Sequence, residues 1–350
     1  MTASAGLVVG SWPGPSFGTN PFVGEYARAL EAAGCTVVDV FDPARIGERI
    51  DVLHIHWPEQ LMWQGGSIAR QAYRIARALR AIARLRRRGT RIVWMVHNLR
   101  PHETGGARGA LWWPIEHVLP RLVDGIMTLS PATLPVVTAA MPALAGKPAA
   151  GVFHPPYPDD APPRDEARRA LGIPADGQVL AMLGFLRPYK GADVLIDAFR
   201  ALPGAGRRLI VAGRCAPGYA AVLRAKAAAD PRVTLEIGEL DPAELARYTA
   251  AADWVVLPFR GYLHSGSMVH ALSLGRPVIT PSAPFARDVA GLVAEGAVRM
   301  YEGELTTQIL AGLPPRPPRP DLSALTPERL GLAARAFYTS LANDASAVRQ

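Results

Sequence analysis

The chain has 350 residues, of which 49% are apolar and 19% charged, and it carries a formal net charge of +8 at pH 7. This length predicts two domains, each large enough to bury its own core. No window approaches the roughly 18 uninterrupted apolar residues that a membrane-spanning helix needs, and the N-terminus lacks the basic start of a signal peptide. The two cysteines, Cys35 and Cys215, fall in different predicted domains, which favours a reduced, cytoplasmic protein. The positive charge predicts an anionic partner: nucleic acid, a sugar nucleotide or a membrane surface.

The first part of the chain alternates short apolar runs with helical stretches. We predict five strands in it, at residues 7–10, 36–40, 52–56, 91–96 and 125–129. Residues 22–33 (FVGEYARALEAA) have helical periodicity and end at Gly34, which favours a helix there. Strands that alternate with helices imply a parallel, doubly wound α/β sheet.

Residues 67–91 (SIARQAYRIARALRAIARLRRRGTR) form a local basic stretch. Apolar residues recur along one helical stripe, and the other face is rich in arginine without any acid. One interpretation is an ordinary helix with a solvated outer face. An arginine-only polar face better suits an anionic lipid surface, where each arginine contributes roughly 1 kcal/mol. We predict that the helix within residues 70–91 contacts an anionic membrane, and not nucleic acid, because no aromatic interleaving or known nucleic-acid module accompanies the arginines.

Residues 152–164 (VFHPPYPDDAPPR) are rich in proline and predict a stiff domain junction. Beyond it we predict strands at 179–183, 208–212 and 233–237, and helices at 193–201, 220–229 and 242–251. A second stiff linker at 314–320 (PPRPPRP) precedes a helix predicted at 327–342. We therefore divide the chain into two Rossmann-like domains, residues 1–155 and 165–325. Residues 326–350 form a C-terminal helix that is expected to pack back on the first domain.

Residues 252–281 combine a strand, a loop of small residues and a helix. The run ADWVVLP (252–258) predicts a buried strand, Ser265 is the predicted N-cap of a helix that stops at Gly275, and residues 277–280 form the next strand. Free backbone N–H groups and the positive end of the helix dipole make such a loop an anion site. The alternative is an ordinary strand-loop-helix unit with a serine cap.

The stretch GFLRPYKG (184–191) follows a predicted strand and precedes a helix. It holds two cations, Arg187 and Lys190, between glycines. A diphosphate needs cations to neutralise it and a backbone that can approach closely. Two solvated surface cations are the alternative. The anion site predicted at Ser265–Ser267 in the same domain favours the diphosphate.

Several segments resemble the nucleotide-sugar half of a GT-B glycosyltransferase of the family 4-like group: GFLRPYKGADVLIDAF, LIVAGR, VTLEIGELDPAELARYTAAADWVVLPF and SGSMVHALSLGRPVIT. The pieces LHIHWPE and WMVHNLRPHE are similar to bacterial exopolysaccharide enzymes that add a sugar, often mannose, to a polyprenyl-diphosphate oligosaccharide. The resemblance implies two facing Rossmann-like domains with a cleft between them, residues 1–155 on the acceptor side and 165–325 on the nucleotide-sugar side. It also implies a nucleotide-sugar co-substrate and no other cofactor. Together with the arginine-rich stretch at 67–91, it predicts a cytoplasmic protein that is peripheral to the inner face of the cell membrane.

The resemblance assigns roles to individual donor-side residues. Arg187 and Lys190 match the pair that holds the donor diphosphate and stabilises the leaving nucleotide without a metal. The same phosphates would receive backbone N–H groups from Ser265, Gly266 and Ser267. The nucleoside would be lined by Gly213, Arg214 and Glu239, with the Glu239 backbone next to the base. Many retaining relatives carry two glutamates where this chain has Tyr262 and His270. His270 would still reach a ribose hydroxyl, but the missing acid favours an inverting mechanism.

An inverting enzyme needs a general base, and the candidates follow two neighbouring strands. His56 and Glu59 follow the third predicted strand, and His97 and Glu103 follow the fourth. Strand carboxyl ends in a doubly wound sheet face the ligand crevice. A metal site is not predicted. The alternation of side chains along the strand puts His54 and His56 on one face, but His97 is far from them in sequence. Asn20 matches a loop that approaches the donor phosphate or the acceptor, or it is the N-cap of the following helix.

The sequence predicts a hexosyltransferase that passes mannose from GDP-mannose to a lipid-linked saccharide acceptor in bacterial polysaccharide biosynthesis. Three alternatives remain open at this point. The first is a transferase that uses a UDP-sugar as the donor. The second is a GT-B enzyme similar to sugar-nucleotide epimerases, and the third is a catalytically silent sugar-nucleotide-binding partner of a membrane assembly.

Overall fold

The computed structural model describes residues 6–17, 20–63, 65–101, 106–158 and 160–347. The chain forms two compact units, the first made of Met1–Pro155 with Leu325–Gln350 and the second of Pro156–Ala324. Each unit is built on a six-stranded sheet in which all neighbouring strands pair in parallel. Buried apolar side chains fill both faces of these sheets, as parallel sheets require.

The first sheet has the strand order β2-β1-β3-β4-β5-β6. Its strands are β1 Val8–Trp12, β2 Thr36–Asp39, β3 Val52–Ile55, β4 Arg91–Met95, β5 Gly125–Thr128 and β6 Ala149–Gly151. Its helices are α1 Pro21–Ala32, α2 Gln60–Trp63, α3 Ile68–Arg87, α4 Trp113–His117, α5 Leu119–Leu122 and α6 Leu134–Ala140. The five predicted strands are confirmed. The sixth was not predicted, because its sequence AAG has no β-branched or aromatic residue.

The second sheet has the order β12-β11-β10-β7-β8-β9. Its strands are β7 Gln178–Leu183, β8 Arg207–Gly213, β9 Val233–Ile237, β10 Trp254–Val256, β11 Val278–Pro281 and β12 Val298–Tyr301. Its helices are α7 Arg164–Ala170, α8 Ala192–Arg200, α9 Tyr219–Ala227, α10 Pro242–Ala251, α11 Gly266–Ser273, α12 Pro284–Ala290 and α13 Thr307–Ala311. Four loops follow the carboxyl ends of β10, β7, β8 and β9, and they are therefore neighbours along one edge.

The last helix, α14 (Pro327–Ala347), packs against α1 in the first unit. Gly331 permits this approach, because a Cβ there would lie 2.0 Å from the Ala29 carbonyl oxygen. The fully buried Tyr338 places its hydroxyl 2.6 Å from the Tyr26 hydroxyl and 2.6 Å from Nδ1 of His54. His54 therefore has a structural role, since it helps to hold α14 on the first sheet.

Two proline-rich segments are more ordered than the sequence indicates. In the predicted junction, Val152, His154 and Pro155 are buried, and α7 begins at Arg164. The predicted linker at 314–320 is anchored to the second unit, where Nε2 of Gln178 and Nε1 of Trp254 donate hydrogen bonds to backbone carbonyls at its start. Residues 314–320, predicted as a stiff linker, therefore lie within the second unit. Within the described ranges, none of the helices combines the length and hydrophobicity needed to cross a bilayer.

Candidate functional site

The residues predicted to bind the donor lie on the four neighbouring loops at the carboxyl edge of the second sheet, or on the end of β8 and in α11, which adjoin these loops. Carboxyl ends of parallel strands meet at one edge, so residues distant in sequence come together there. The set comprises Arg187, Lys190, Gly213, Arg214, Glu239, Ser265, Gly266, Ser267 and His270.

The loop after β7 is packed tightly against the loop after β10. Gly191 has φ +74°, and a Cβ on it would lie 2.5 Å from the Pro258 carbonyl oxygen, so only glycine fits. Between the two glycines, Pro188–Lys190 forms a 3₁₀ turn. The N–H of Arg260 donates to the Tyr189 carbonyl at 2.8 Å. The backbone of GFLRPYKG is thus fixed by its neighbour.

Phe185 gathers two cations at this edge, a contact that the sequence did not predict. Its ring centroid lies 4.1 Å from Cζ of Arg187 and 4.5 Å from Cζ of Arg214. The Leu186 N–H donates to the Arg214 carbonyl at 2.7 Å, which joins the two loops. Like charges held this close favour a bound anion.

Lys190 is the third cation of this cluster. Its Nζ lies 5.5 Å from the ring centroid of Phe259. Burial, and then the charge of Arg187, lowers its pKa from 10.5 to about 8. A bound diphosphate would counter both effects, because a nearby negative charge raises the pKa of an ammonium group.

The start of α11 presents its first-turn amides to the same edge. Ser265 is the N-cap, and its Oγ accepts a hydrogen bond from the Met268 N–H at 3.1 Å. The N–H groups of Gly266 and Ser267 have no partner within the helix, as the first turn requires. The serine hydroxyl therefore shapes the helix start, and the amides are left for an anion.

The loops predicted to line the nucleoside are also in contact. A Cβ on Gly213 would lie 2.0 Å from the Gly184 carbonyl oxygen, and Gly213 has φ +139°. The Gly238 N–H donates to the Gly213 carbonyl at 3.3 Å, and Glu239 is exposed. This arrangement leaves the backbone at Glu239 accessible.

Tyr262 and His270 occupy the positions where a retaining enzyme would carry acids. The Tyr262 hydroxyl lies 3.1 Å from Oγ1 of Thr280 and 3.2 Å from the Pro281 carbonyl oxygen. Burial raises the pKa of Tyr262 to about 12, so it stays protonated near neutral pH. The His270 ring stands edge-on to Tyr157 at 5.7 Å. Tyr262 therefore acts as a structural hydrogen-bond donor and supplies no carboxylate.

The first unit brings His56 and His97 together after the adjacent strands β3 and β4. Nδ1 of His56 lies 3.2 Å from Nε2 of His97. Burial lowers the pKa of His56 to about 3, so this imidazole is neutral at pH 7. Trp57 stacks on His97, with centroids 4.1 Å apart and planes 23° apart. His97 is thus oriented from two sides.

The sequence missed two members of this cluster, Phe22 and His154. The Phe22 ring lies 5.3 Å from that of His97 and 4.7 Å from that of His154. His154 is buried, which lowers its pKa to about 4. It lies in the proline-rich segment after β6, where no periodicity marks a buried position.

Glu59 is 3% exposed, and its Oε1 accepts a hydrogen bond from Nδ2 of Asn98 at 2.9 Å. Burial raises its pKa to about 7 and outweighs the opposite effect of the Asn98 hydrogen bond. Glu103, the fourth candidate base, lies outside the described residues. Oδ1 of Asn20 accepts from the Phe22 N–H at 3.0 Å, which confirms the N-cap interpretation of Asn20.

The raised pKa of Glu59 makes the free energy of unfolding depend on pH. Below the ordinary pKa of 4.5 the carboxyl is protonated and its contribution to the free energy of unfolding is fully present. That contribution is lost as the pH rises through the folded-state pKa of about 7, because the buried carboxyl must then ionise. Glu59→Gln has a neutral side chain at every pH, so its free energy of unfolding should not show this loss. Between acid pH and about pH 8, the stability of the variant relative to wild type should therefore rise by at most about 3 kcal/mol. Urea unfolding at several pH values measures this, and a difference independent of pH would contradict it.

Comparisons with known proteins bear on what these sites do. Residues 177–307 match the family model described as glycosyl transferases group 1. Over 343 residues the chain is 31% identical to a GDP-mannose:glycolipid 4-beta-D-mannosyltransferase from Xanthomonas campestris pv. campestris, covering 95% of this chain and 92% of that protein. A shorter match, 35% identical over 127 residues, is to a D-inositol 3-phosphate glycosyltransferase from Saccharomonospora viridis, covering 33% of this chain and 30% of that protein.

Solved structures share the fold at lower identity. The sucrose-phosphate synthase of Thermosynechococcus elongatus is 16% identical with a TM-score of 0.60, over 98% of both chains. HepE of Anabaena in complex with UDP-glucose is 16% identical with a TM-score of 0.60, over 97% of this chain and 99% of that chain. The chain is therefore 31% identical to the Xanthomonas protein over 95% of its length, and it shares the fold of these solved structures. The chain is an enzyme that belongs to the group 1 glycosyltransferases and has the GT-B fold.

Proposed function

We propose that this glycosyltransferase transfers mannose from GDP-mannose to a lipid-linked saccharide, with inversion and without a metal ion. The observation that supports the donor assignment is that Arg187 and Lys190 follow β7 and the start of α11 follows the neighbouring strand β10, with the two loops in contact. The Xanthomonas relative, whose name specifies GDP-mannose and a glycolipid, supports the choice of sugar and acceptor.

The second unit would act on the leaving nucleotide. When the glycosidic bond to the donor breaks, negative charge grows on the diphosphate. Arg187, Lys190 and the first-turn amides of α11 would stabilise that charge without having to reorganise. Because these groups already supply positive charge, we expect turnover to persist in the presence of a chelator such as EDTA.

The first unit would act on the acceptor. The relative's name specifies a β linkage, and an α-configured sugar nucleotide gives a β product only by inversion. Inversion in one displacement needs a base that takes the proton of the attacking hydroxyl. We assign this role to His97, because the neutral His56 at 3.2 Å orients the ring without adding a positive charge beside it.

The nucleoside preference can be tested without the acceptor. A ligand that binds only the folded state stabilises it by about 2.7 kcal/mol at one hundred times its Kd. For units of this size that raises Tm by roughly 5–10 °C. We expect GDP to raise Tm more than UDP at equal concentration, because a purine offers more contacts to the loops at Arg214 and Glu239. Both shifts should shrink in Lys190→Ala.

Two outcomes would change the donor assignment. A larger shift with UDP would reverse the choice of nucleoside and leave the diphosphate site intact. No shift with either nucleotide, in a protein whose circular dichroism shows that it is folded, would contradict the nucleotide-sugar site itself.

We also propose that α3 binds an anionic membrane surface. Its outer face presents four arginines that are exposed and form no ion pair among the described residues: Arg80, Arg84, Arg87 and Arg88. By contrast, Arg77 and Arg86 are paired with Asp42 and Asp124. The four exposed arginines are spaced so that they lie on one side of the helix, and they attract a negatively charged surface together.

Exposed aromatic residues lie beside this arginine face. Tyr73 is 63% exposed and stands seven positions before Arg80, on the same side of α3. Phe41 is 72% exposed and directly precedes Asp42, which forms an ion pair with Arg77 of α3. Aromatic rings next to cations are typical of protein surfaces that lie at the membrane interface.

Replacing Arg80, Arg84, Arg87 and Arg88 by glutamine should release the protein from anionic vesicles. Added salt should have the same effect on the wild type, because salt screens surface charge. The matched control replaces four exposed arginines of the second unit, Arg169, Arg200, Arg224 and Arg299, and should still sediment. Failure of the wild type to sediment at low salt would contradict membrane binding through α3.

A further inference from the structure

We propose that the second unit holds a second anion site, which binds a small soluble phosphorylated molecule at the amino edge of the sheet. A cavity of about 1120 Å³ lies at this edge and is lined by Gln178, Asp253 and Pro277 at the starts of β7, β10 and β11. The donor loops leave the opposite ends of the same strands. A six-residue strand such as β7 separates the two edges by about 20 Å. The cavity is therefore distinct from the donor site.

The side chains that line the cavity include more arginines than acids. Its arginines are Arg164, Arg276, Arg316 and Arg319, and its acids are Asp160, Asp176 and Asp253. Asp253 is already engaged, since Oδ1 accepts from Nε of Arg164 at 3.1 Å and Oδ2 accepts from Nη2 of Arg168 at 2.8 Å. Asp160 and Asp176 are exposed and form no ion pair among the described residues. Within that part of the chain, Arg276, Arg316 and Arg319 likewise form no ion pair.

Arg276 gives the clearest reason to expect an anion in the cavity. It is half-buried, and its Nε is inaccessible to solvent and has no hydrogen-bond partner among the described residues. Burial lowers its pKa most, and the neighbouring Arg164, Arg168 and Arg319 lower it further against the opposite effect of Asp253. A half-buried guanidinium without a partner costs free energy, and a bound anion would recover that cost.

The segment PPRPPRP (314–320) supplies the other two arginines. Arg316 and Arg319 both line the cavity. Nε1 of Trp254 fixes the start of the segment by a 3.0 Å hydrogen bond to the Pro314 carbonyl. The arginines are thus held at the cavity before any ligand arrives.

The lining defines the chemistry of the ligand. Planar guanidinium groups bind phosphate oxygens in pairs, and several of them together suit a phosphate or diphosphate group. The volume of about 1120 Å³ lies just above the roughly 300–1,000 Å³ of typical small-molecule sites, and it is far more than an inorganic ion needs. None of the exposed large apolar side chains of the described residues lines the cavity, so a soluble ligand is favoured over a lipid head group.

The experiment uses inorganic pyrophosphate as the probe and Arg187→Ala/Lys190→Ala as the background, because pyrophosphate would also bind the donor loop. Millimolar pyrophosphate at constant ionic strength should raise Tm of this double variant by several degrees. Adding Arg276→Gln and Arg319→Gln should weaken pyrophosphate binding at least about 100-fold, since two charged hydrogen-bond contacts are lost. Adding Arg224→Gln, an exposed arginine of α9, should leave the rise in Tm unchanged.

Two results would overturn the proposal. One is the absence of any rise in Tm in the Arg187→Ala/Lys190→Ala background. The other is a rise that persists in full after Arg276 and Arg319 are replaced. If the variant with all four replacements does not fold, Arg319→Gln alone on the same background decides, because Arg319 is exposed and its loss should still weaken binding about tenfold. Unchanged binding in that variant would contradict the site.

Discussion

Arg187→Ala and Lys190→Ala should each lower kcat/KM by about 100-fold or more, as expected for the loss of a preorganised charge contact. Arg187 is held against Phe185, and Lys190 lies on the Phe259 ring in a loop fixed by Gly191. Both cations would therefore meet the leaving diphosphate without any rearrangement. Initial rates with varied donor concentration measure the loss.

The control for this prediction is Arg224→Ala, which removes an exposed positive charge from α9 of the same unit. It should turn over like the wild type, so that a general effect of net charge can be separated from a local one. Near-normal turnover in both Arg187→Ala and Lys190→Ala would exclude the GFLRPYKG loop from the active site.

His97→Ala should lower kcat by about 10²- to 10⁴-fold, the usual contribution of a general base. The stabilisation by GDP should remain, because the donor loops belong to the second unit. His56→Ala should lower kcat less, since His56 is proposed to orient the ring and not to take the proton. Single-turnover rates and GDP thermal shifts on the same protein samples separate these effects.

The matched control is His117→Ala, which removes an exposed histidine of α4 that stacks on Trp113. We expect its kcat to be unchanged with a detergent-solubilised acceptor. A His97→Ala variant that keeps the wild-type kcat would contradict the assignment of the base, and Glu59 would then be the described candidate to test next.

The arrangement of the proposed donor site was predictable from sequence because its signals are local. A serine cap followed by an apolar helical stripe and two cations between glycines are each read within one short segment, as at Ser265 and Lys190. The structure places these segments on adjacent loops, since β10 pairs with β7 and β7 with β8. Strand order is a property of the whole sheet, and only the resemblance to GT-B enzymes indicated it.

The histidine cluster that we propose for the acceptor side was predictable only in part. His56 and His97 follow apolar strands, so the sequence indicates their edge of the sheet. Phe22 and His154 join them through tertiary packing that no local pattern reveals, because one begins a helix and the other lies among prolines. The arginines at 316 and 319 were interpreted as parts of a linker for the same reason, since the hydrogen bonds that anchor their segment come from β7 and β10.

The most direct test of the proposed reaction is turnover of a panel of GDP-, UDP- and dTDP-sugars with extracted lipid-linked acceptor, with the product linkage determined by NMR. We expect GDP-mannose to be the preferred donor and the new linkage to be β, in the presence or absence of EDTA. An α-linked product would contradict inversion, and preference for a UDP-sugar would contradict the donor. No product from any donor, with folded protein that binds GDP, would contradict catalysis of this transfer by the chain.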